Sequence, residues 1–371
     1  MSQPSRTTSI IATLLAIGMV LGAVVSSINF GASRRATAQS TPAWYNYGAP
    51  SGQPPSAYIL DIDMIGGAEG WLIASQGLAK LESSGWQFQT STVSLQLEAP
   101  VSSLDMLDPS NGWAVGHGNG GGTIWRFQDN AWSIFDASYP KELHDVDMVS
   151  ASDGWAVGLD GHIIHFDGSQ WLQVQSPTSS HLTTISMYSA TSGWAAGDNG
   201  TMLHYDGTSW VLQNFPSGTY ILDVLGVSSN EAWAVGGPSE PLFHYSAGGW
   251  TVVSNPSSMR LFSLSGSASE WWAAGDEFIH FSNGTMTLEG LPETLACGGF
   301  SDWMSDIEFV DDNNVWAGGR CGELRHYTGL PRDLIIASSY LPMLMSRYEP
   351  HTLARPAAAI PAPPMVVPRS P

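Results

Sequence analysis

Four aspartates stand at one fixed distance before a recurring tryptophan. Each lies ten residues ahead of its Trp, and hydroxyl or aromatic residues take the same place in three further copies of the pattern. Carboxylates held at one level around a channel can hold a cation or a Lys or Arg side chain. The alternative is structural, because Asp at the start of a strand often bonds nearby turn backbone. The seven positions are Asp61, Ser103, Asp145, Thr184, Asp223, Phe262 and Asp306.

We interpret the four aspartates, Asp61, Asp145, Asp223 and Asp306, as candidate binding residues for a basic peptide segment.

A second series is basic and includes five histidines. Metal ligands must converge within about 2 to 2.6 Å of one ion, and equivalent positions on separate repeats cannot do so. We therefore expect structural hydrogen bonds at these positions, with no metal and no cofactor. The series comprises Lys80, Arg126, His165, His204, His244, His280 and His326.

Only two cysteines occur, Cys297 and Cys321. An even pair in an exported protein favours a disulfide, which would contribute about 3 kcal/mol in the chain-entropy model. Two free thiols are the alternative.

No catalytic constellation can be assembled from the sequence. A sialidase-like site needs an arginine cluster for a substrate carboxylate, and residues 39–330 contain only four arginines. The sequence also lacks Gly-x-Ser-x-Gly, a phosphate loop and His-Glu-x-x-His. We expect no enzyme, although glycoside hydrolysis by an Asp/Glu pair stays open because acidic residues are abundant.

An internal repeat must position these residues. Gly-Trp-Ala-Val-Gly and its variants recur seven times, with tryptophans 42, 42, 39, 39, 39 and 44 residues apart. Short β-like runs and Gly, Asn, Asp or Ser turns flank each copy. Four short strands in about 40 residues are typical of a β-propeller blade, so we predict an all-β, seven-bladed propeller over residues 39–330. The repeat tryptophans are Trp71, Trp113, Trp155, Trp194, Trp233, Trp272 and Trp316.

A second tryptophan series predicts how the ring closes. These residues open the fourth strand of five repeats, Met286 takes the place in the sixth, and the seventh repeat has no such strand. Trp44 precedes Trp71 by the interval that separates Trp86 from Trp113. We therefore expect the N-terminal strand to complete the last blade and so to remove two exposed sheet edges. The series is Trp86, Trp132, Trp171, Trp210 and Trp250.

The motif at Gly154–Gly158, followed by His-Phe-Asp-Gly-x-x-Trp ending at Trp171, resembles two groups of propellers. These are the photosystem II assembly and stability factor-like propellers and the bacterial-neuraminidase-type Asp-box repeats. The resemblance covers about residues 44–330. It implies a propeller fold and a non-catalytic role in assembling a membrane complex. The assembly-factor propellers are expected to use an arginine-rich patch on one face, and this chain departs from that pattern because it has few arginines and a large negative charge.

Both ends of the chain differ from the repeats. Ile10 to Val25 is apolar apart from Thr13, which predicts a signal peptide or a membrane anchor within residues 1–38 and hence an exported protein. Cleavage and retention both stay open. Residues 331–371 are rich in proline and predict a disordered tail.

Composition limits the partners. A net charge of -20 disfavours nucleic acid and direct binding to anionic lipid, so we expect membrane contact through the N-terminal segment only. The leading hypothesis is a monomeric, extracytoplasmic propeller that binds a protein partner as a scaffold. The alternative is a carbohydrate-binding or divergent glycosidase propeller in which Tyr139, Tyr188 and Tyr220 stack on sugars.

Overall fold

A computed structural model describes residues 43–47 and 58–328, apart from 68, 76, 83, 90–100, 119, 238–241, 255, 257–258 and 290–302. The apolar segment from Ile10 to Val25, Cys297 and the proline-rich tail lie outside the described residues. Within the described ranges there is no helix with the length and apolarity needed to cross a membrane.

The described chain consists of 28 strands and two short 3-10 turns. The first strand and the first three sheets are formed by β1 (Ala43–Asn46); β2 (Ile59–Met64), β3 (Gly70–Ala74), β4 (Gly77–Glu82), β5 (Gly85–Phe88); β6 (Val101–Asp108), β7 (Asn111–Gly118), β8 (Gly121–Gln128), β9 (Ala131–Tyr139); β10 (Leu143–Ser150), β11 (Asp153–Gly158), β12 (Ile163–Phe166) and β13 (Trp171–Val174). The remaining strands are β14 (Leu182–Ser189), β15 (Ser192–Gly197), β16 (Met202–Tyr205), β17 (Trp210–Leu212); β18 (Ile221–Ser228), β19 (Glu231–Gly236), β20 (Leu242–Ser246), β21 (Gly249–Val252); β22 (Leu261–Gly266), β23 (Glu270–Gly275), β24 (Phe278–Ser282), β25 (Thr285–Glu289); β26 (Met304–Asp311), β27 (Asn314–Gly319) and β28 (Leu324–Thr328). The 3-10 turns are Leu159–Gly161 and Asp198–Gly200.

These strands form seven four-stranded antiparallel sheets, which confirms the predicted all-β, seven-bladed propeller. Six sheets, which we number blades one to six from β2–β5 to β22–β25, each use four consecutive strands. The seventh has the order β1-β28-β27-β26, so its outermost strand comes from the opposite end of the chain. Trp44 lies opposite Tyr327 in that antiparallel pair. The ring is therefore closed by strand pairing between the two ends of the propeller.

Tryptophan pairs fill the junctions between blades. At six junctions the second-strand Trp of one blade meets the fourth-strand Trp of the next, edge to face, at interplanar angles between 79° and 89°. This is the preferred aromatic geometry and buries a large apolar area. At the remaining junction Met286 packs into the same core as Trp233. The six pairs are Trp71–Trp132, Trp113–Trp171, Trp155–Trp210, Trp194–Trp250, Trp272–Trp44 and Trp316–Trp86.

Close approach of neighbouring strands explains the two glycines of the repeat motif. A Cβ at Gly154 would overlap the sulfur of Met148, and a Cβ at Gly158 would overlap the carbonyl oxygen of Glu142. Only glycine lets the first and second strands of a blade meet this closely. The motif Gly-Trp-Ala-Val-Gly thus encodes a core tryptophan between two tight contacts.

Candidate functional site

A cavity of 480 Å³ lies on the axis of the propeller and is lined by the innermost strands of all seven blades. The lining residues come from the first five positions of each inner strand. We call the end of the cavity where these strands begin the mouth. A register shift follows the first residue of all seven inner strands, as between Ile59 and Asp61. Such bulges re-aim side chains, and here the extra residue faces the mouth.

The four predicted aspartates lie together on this cavity, at one position of the inner strands. Each accepts a hydrogen bond of 2.7 Å from a backbone N–H of the next blade's inner strand: Asp306 from Ile62, Asp61 from Leu104, Asp145 from Ile185 and Asp223 from Leu264. The carboxyl groups thus join adjacent blades instead of only closing their own turns. We call the seven residues at this level the upper ring.

Carboxyls and hydroxyls alternate around the upper ring. Three hydroxyls donate to the aspartate of the following blade: Ser103 to Asp145 at 2.7 Å, Thr184 to Asp223 at 2.9 Å and Ser263 to Asp306 at 2.8 Å. A ring of seven cannot alternate perfectly. Asp306 and Asp61 are therefore neighbours in the upper ring with no hydroxyl residue between them.

The prediction for blade six was wrong by one residue. Ser263, and not Phe262, pairs with the second strand as the other upper-ring residues do, because Ser263 lies opposite Ala274. The hairpin between β22 and β23 is one residue shorter, because Ser265 pairs with Trp272 seven residues later whereas Asp63 pairs with Trp71 eight residues later. A count of ten residues back from Trp272 therefore goes one residue too far. Phe262 is the bulge residue, and its side chain lines the mouth.

Four more acids lie two residues farther along the inner strands, and the sequence analysis missed them. These are Asp63, Asp105, Asp147 and Glu308, all of which line the cavity. Asp63 accepts from the N–H of Met106, Asp105 from Met148 at 2.5 Å and Asp147 from Met187 at 2.6 Å. The signal was available, because residues two apart on a strand share a face. We call this the lower ring.

The lower ring is one-sided. Its four acids belong to the consecutive blades seven, one, two and three. The equivalent positions on blades four to six are Ser186, Leu225 and Ser265, which pair with the repeat tryptophans as Asp63 pairs with Trp71. Glu308 accepts from the hydroxyl of Ser265 at 2.9 Å.

Burial raises the pKa of every carboxyl in both rings. It raises the pKa of Asp105 and Asp223 to about 7, of Asp306 to about 6 and of Glu308 to about 8. Burial also raises the pKa of Asp61, with repulsion from Asp306 as the next cause.

The remaining three carboxyls follow the same pattern. Burial raises the pKa of Asp63 and Asp147 well above the ordinary value, and repulsion from Asp105 adds to both shifts. Burial raises the pKa of Asp145, and its hydrogen bonds oppose the shift. The physical cause is the desolvation of several like charges around one cavity.

No Lys or Arg is among the described residues that line the cavity. The lining histidine, His144, is hydrogen-bonded through Nδ1 to the carbonyl of Leu182 at 2.8 Å. In the described part of the chain no group of three or more His, Cys, Asp or Glu side chains is arranged to hold a metal ion. The cavity therefore has an acidic lining without a basic partner of its own.

The basic series of the repeats lies away from the cavity, on the third strands. Each member stacks on the repeat tryptophan of its own blade. The distances to the ring centroid are 5.4 Å for Lys80 and 5.0 Å for Arg126, and the ring centroids of the five histidine pairs are 4.0 to 4.3 Å apart. Nε2 of each histidine is also hydrogen-bonded to a second-strand side chain, such as Asp153 for His165 at 2.8 Å. These residues position tryptophans.

Aromatic side chains form one side of the mouth. Trp303 precedes β26, and its ring lies 5.2 Å from Phe262 and 6.1 Å from Tyr58. Leu60, the bulge residue of blade one, is 45% exposed and lines the cavity beside them. We call Tyr58, Leu60, Phe262 and Trp303 the apolar rim.

The tyrosines considered for sugar stacking do not form one surface. Tyr220 stands just before β18 at the mouth, whereas Tyr188 is near the end of β14 and so lies toward the opposite face. Tyr139 ends β9, and its ring contacts His162 at 5.4 Å.

Cys321 lies in the turn between β27 and β28 and is disulfide-bonded. The other cysteine of the chain, Cys297, lies outside the described residues, so the pairing stays a prediction.

Solved structures share this fold. A structure described as YCF48 bound to D1 peptide superposes with a TM-score of 0.60 at 14% identity, over 77% of this chain and 94% of that one. A catalytically inactive virginiamycin B lyase from Staphylococcus aureus with quinupristin gives 0.63 at 12% identity, over 78% and 99%. The WD40 propeller domain of Doa1 gives 0.60 at 8% identity, over 78% and 98%. No protein-family model and no curated protein matches the sequence.

Proposed function

We propose that this protein is a non-catalytic, extracytoplasmic scaffold whose mouth captures a basic segment of a protein partner during assembly of a membrane complex. The observation that carries the proposal is the cavity lined by eight carboxyl groups and by no Lys or Arg among the described lining residues. A folded protein rarely gathers so many half-buried acids around one cavity without a basic partner. The protein partner would supply the positive charge that the cavity lining lacks.

Electrostatics favours a cationic occupant. Low-dielectric walls concentrate the field of the carboxylates within the cavity and raise the local concentration of positive groups. A bound Lys or Arg would favour the ionised acids, so that binding would lower their raised pKa values and release protons.

Similar folds are compatible with binding a protein segment. The YCF48 structure holds a peptide of D1 by its description. At 14% identity this similarity concerns the fold, and the role in this chain is proposed from its own cavity. The apolar segment from Ile10 to Val25 supports export and a location at the membrane.

Photocrosslinking in the native host tests the proposal. A benzophenone amino acid is placed at Leu60, which lines the mouth, and in a second strain at Leu212, which is 55% exposed on the outermost strand of blade four. Crosslinked products are identified by mass spectrometry. We expect one discrete exported or membrane protein to be crosslinked from Leu60 and not from Leu212.

Charge variants provide the matched control. Replacing Asp61, Asp145 and Asp223 by Asn should reduce this crosslink at least fivefold, and the loss should shrink as salt is raised. The control replaces Asp129 and Asp312 by Asn and Glu82 by Gln, which removes three exposed charges from outside the cavity. Equal crosslinking in both variants, or no discrete product from Leu60, would contradict the proposal.

A carbohydrate-directed propeller is the second candidate. The apolar rim beside carboxyl groups of raised pKa is the observation that favours it, because sugars stack on aromatic rings and glycosidases use paired acids. Glycan-array binding or hydrolysis of aryl glycosides that is lost on replacing Asp61 and Asp306 by Asn would support this candidate over the scaffold.

A further inference from the structure

We infer that the mouth recognises a peptide segment in which a Lys or Arg directly adjoins a large apolar residue, the apolar side chain packing on the apolar rim and the cation reaching Asp61 and Asp306. This inference rests on the proposed function and specifies its partner. It makes the mouth a two-part site with one orientation.

Comparison of equivalent positions shows that the mouth is aromatic at blades seven and one and polar at blades three and four. The residue directly before the inner strand is Trp303 on blade seven and Tyr58 on blade one, but Glu142 on blade three and His181 on blade four. The bulge residue likewise differs between these groups of blades. It is Phe262 on blade six and Leu60 on blade one, but His144 on blade three and Thr183 on blade four.

The polar side is occupied by its own contacts. Nδ1 of His144 is hydrogen-bonded to the carbonyl of Leu182, and the Thr183 hydroxyl donates to the carbonyl of Ile221 at 2.8 Å. Nearby, Lys141 forms an ion pair with Asp160. These contacts engage Nδ1 of His144, the Thr183 hydroxyl and the Lys141 ammonium group within the protein.

The apolar rim is continuous and partly exposed. Trp303 contacts Phe262 on one side and Tyr58 on the other, and Tyr58 is 38% exposed. On the outward side of the rim, the guanidinium of Arg260 lies 5.2 Å from the Phe262 ring and is paired with Asp276 at 2.8 Å. Clustered aromatic side chains of this kind act as anchors in protein interfaces.

The adjacent acids of the upper ring lie directly beneath the rim. Leu60 and Asp61 are consecutive, and Ser305 and Asp306 follow Trp303 within three residues. Asp306 accepts from Ser263 and Ile62, whereas Asp61 has a single hydrogen bond among the described residues, from Leu104. Two neighbouring carboxyls without an intervening hydroxyl offer a bidentate partner to a guanidinium or ammonium group.

Charge complementarity selects the occupant. An anionic lipid headgroup or a nucleic acid would be repelled by the acids, and a neutral sugar would stack on the rim without pairing the carboxyls. A Lys or Arg next to an apolar residue satisfies both parts, since adjacent Cα atoms are only about 3.8 Å apart and the long basic side chain can bend toward the acids beneath the rim.

Selection from a random library tests the inference. The full-length protein in detergent micelles is the target, and the probe is a ribosome-displayed library of random 12-residue segments. We expect enriched sequences to contain Lys or Arg directly beside Trp, Phe, Leu or Ile. A fluorescent peptide made from the consensus should bind, and the same peptide with citrulline in place of Arg, or norleucine in place of Lys, should bind at least tenfold more weakly.

Variants assign the two parts of the site. Trp303→Ala and Tyr58→Ala should each weaken the consensus peptide at least fivefold, and Asp306→Asn should weaken the charged peptide but not its neutral analogue. Tyr188→Ala, an exposed aromatic at the opposite face, is the matched control, and melting curves show that each variant is folded.

Enrichment without basic residues, selection of glycans over peptides in a parallel array, or rim variants that bind normally would overturn the inference. A Leu60 crosslink to a partner in the native host, combined with any of these results, would leave the scaffold standing and remove only the inferred recognition rule. Absence of that crosslink would remove both.

Discussion

An inner-strand carboxyl in this propeller has two roles set by its two oxygen atoms. One oxygen of Asp61 accepts the N–H of Leu104 in the next blade and so helps to join the blades. The side chain also lines the cavity, where burial and Asp306 raise its pKa. The hydrogen bond needs only an acceptor, whereas the negative charge costs folding free energy. A carboxyl retained here, where an amide would serve the fold better, is consistent with a function for its charge.

Asp61→Asn should therefore stabilise the free protein at pH 8. The amide oxygen can still accept from Leu104, and removing one buried negative charge relieves repulsion. Relief of about 1 kcal/mol corresponds to a rise of roughly 2–4 °C in melting temperature. The gain should be smaller at pH 5, because the pKa of Asp61 is raised and lowering the pH protonates the wild-type carboxyl, which removes the same charge. Differential scanning calorimetry at both pH values measures it.

Asp312→Asn removes the same charge from an exposed position and is the control. A lower melting temperature for Asp61→Asn at pH 8 would show that the ionised carboxyl stabilises the fold.

Among the elements, β1 has a special position. The other fourth strands are tied to their third strands by tight hairpins, whereas β1 reaches β28 only through hydrogen bonds and side-chain packing. Trp44 anchors β1 toward blade six. Its ring stacks on Phe278 at 4.1 Å and meets Trp272 at 5.4 Å, across the junction between the blades. Directly after β1, the ring of Tyr47 meets Trp316 at 4.8 Å. Ring closure thus uses aromatic packing from the N-terminal segment, with Trp44 as its buried anchor.

Trp44→Ala should release β1, whereas Trp210→Ala in the same slot of blade four should leave β17 in place. Each truncation removes a buried Trp and should lower the free energy of unfolding by about 3–5 kcal/mol. Amide hydrogen exchange separates them. We expect lost protection across β1 and β28 in Trp44→Ala, and a smaller, local change in Trp210→Ala because its hairpin keeps the strand tethered. Equal exchange in β1 of both variants would mean that β1 is held by other contacts.

At the scale of the whole molecule, the two rings make stability depend on pH. The folded protein holds protons on Asp105, Asp223, Asp306 and Glu308 up to about pH 6 to 8, whereas the unfolded chain loses them near pH 4. Between these limits the folded state binds more protons than the unfolded state. The contribution of these carboxyls to the free energy of unfolding therefore falls as pH rises. The lowered pKa of His326 acts in the opposite direction below about pH 6.5.

We expect the melting temperature to be highest near pH 5 and to decrease steadily toward pH 8 at constant ionic strength. Binding of the consensus basic peptide should have the opposite trend, strengthening from pH 5 to pH 8 as the carboxyls ionise. Thermal melts and fluorescence titrations over this range measure both. A melting temperature that rises from pH 5 to pH 8 would contradict the pKa assignment of the rings.

Most of the architecture could be predicted from local sequence. The spacing of Trp71, Trp113 and their equivalents counts the blades, because each blade has one buried core tryptophan on its second strand. The phase of Trp44 locates the closing strand. These features repeat along the chain, so their meaning does not depend on a distant contact.

The candidate site needed the tertiary structure. Phe262 was misplaced because the hairpin of blade six is one residue shorter, and only the strand pairing reveals that Ser263 is the equivalent residue. Asp63, Asp105, Asp147 and Glu308 gain significance only when seven inner strands surround one axis. The sequence by itself determined the blades and their order; the closed ring decided which side chains meet, because residues such as Ile59 and Ser305, 246 positions apart, become neighbours only when the ends join.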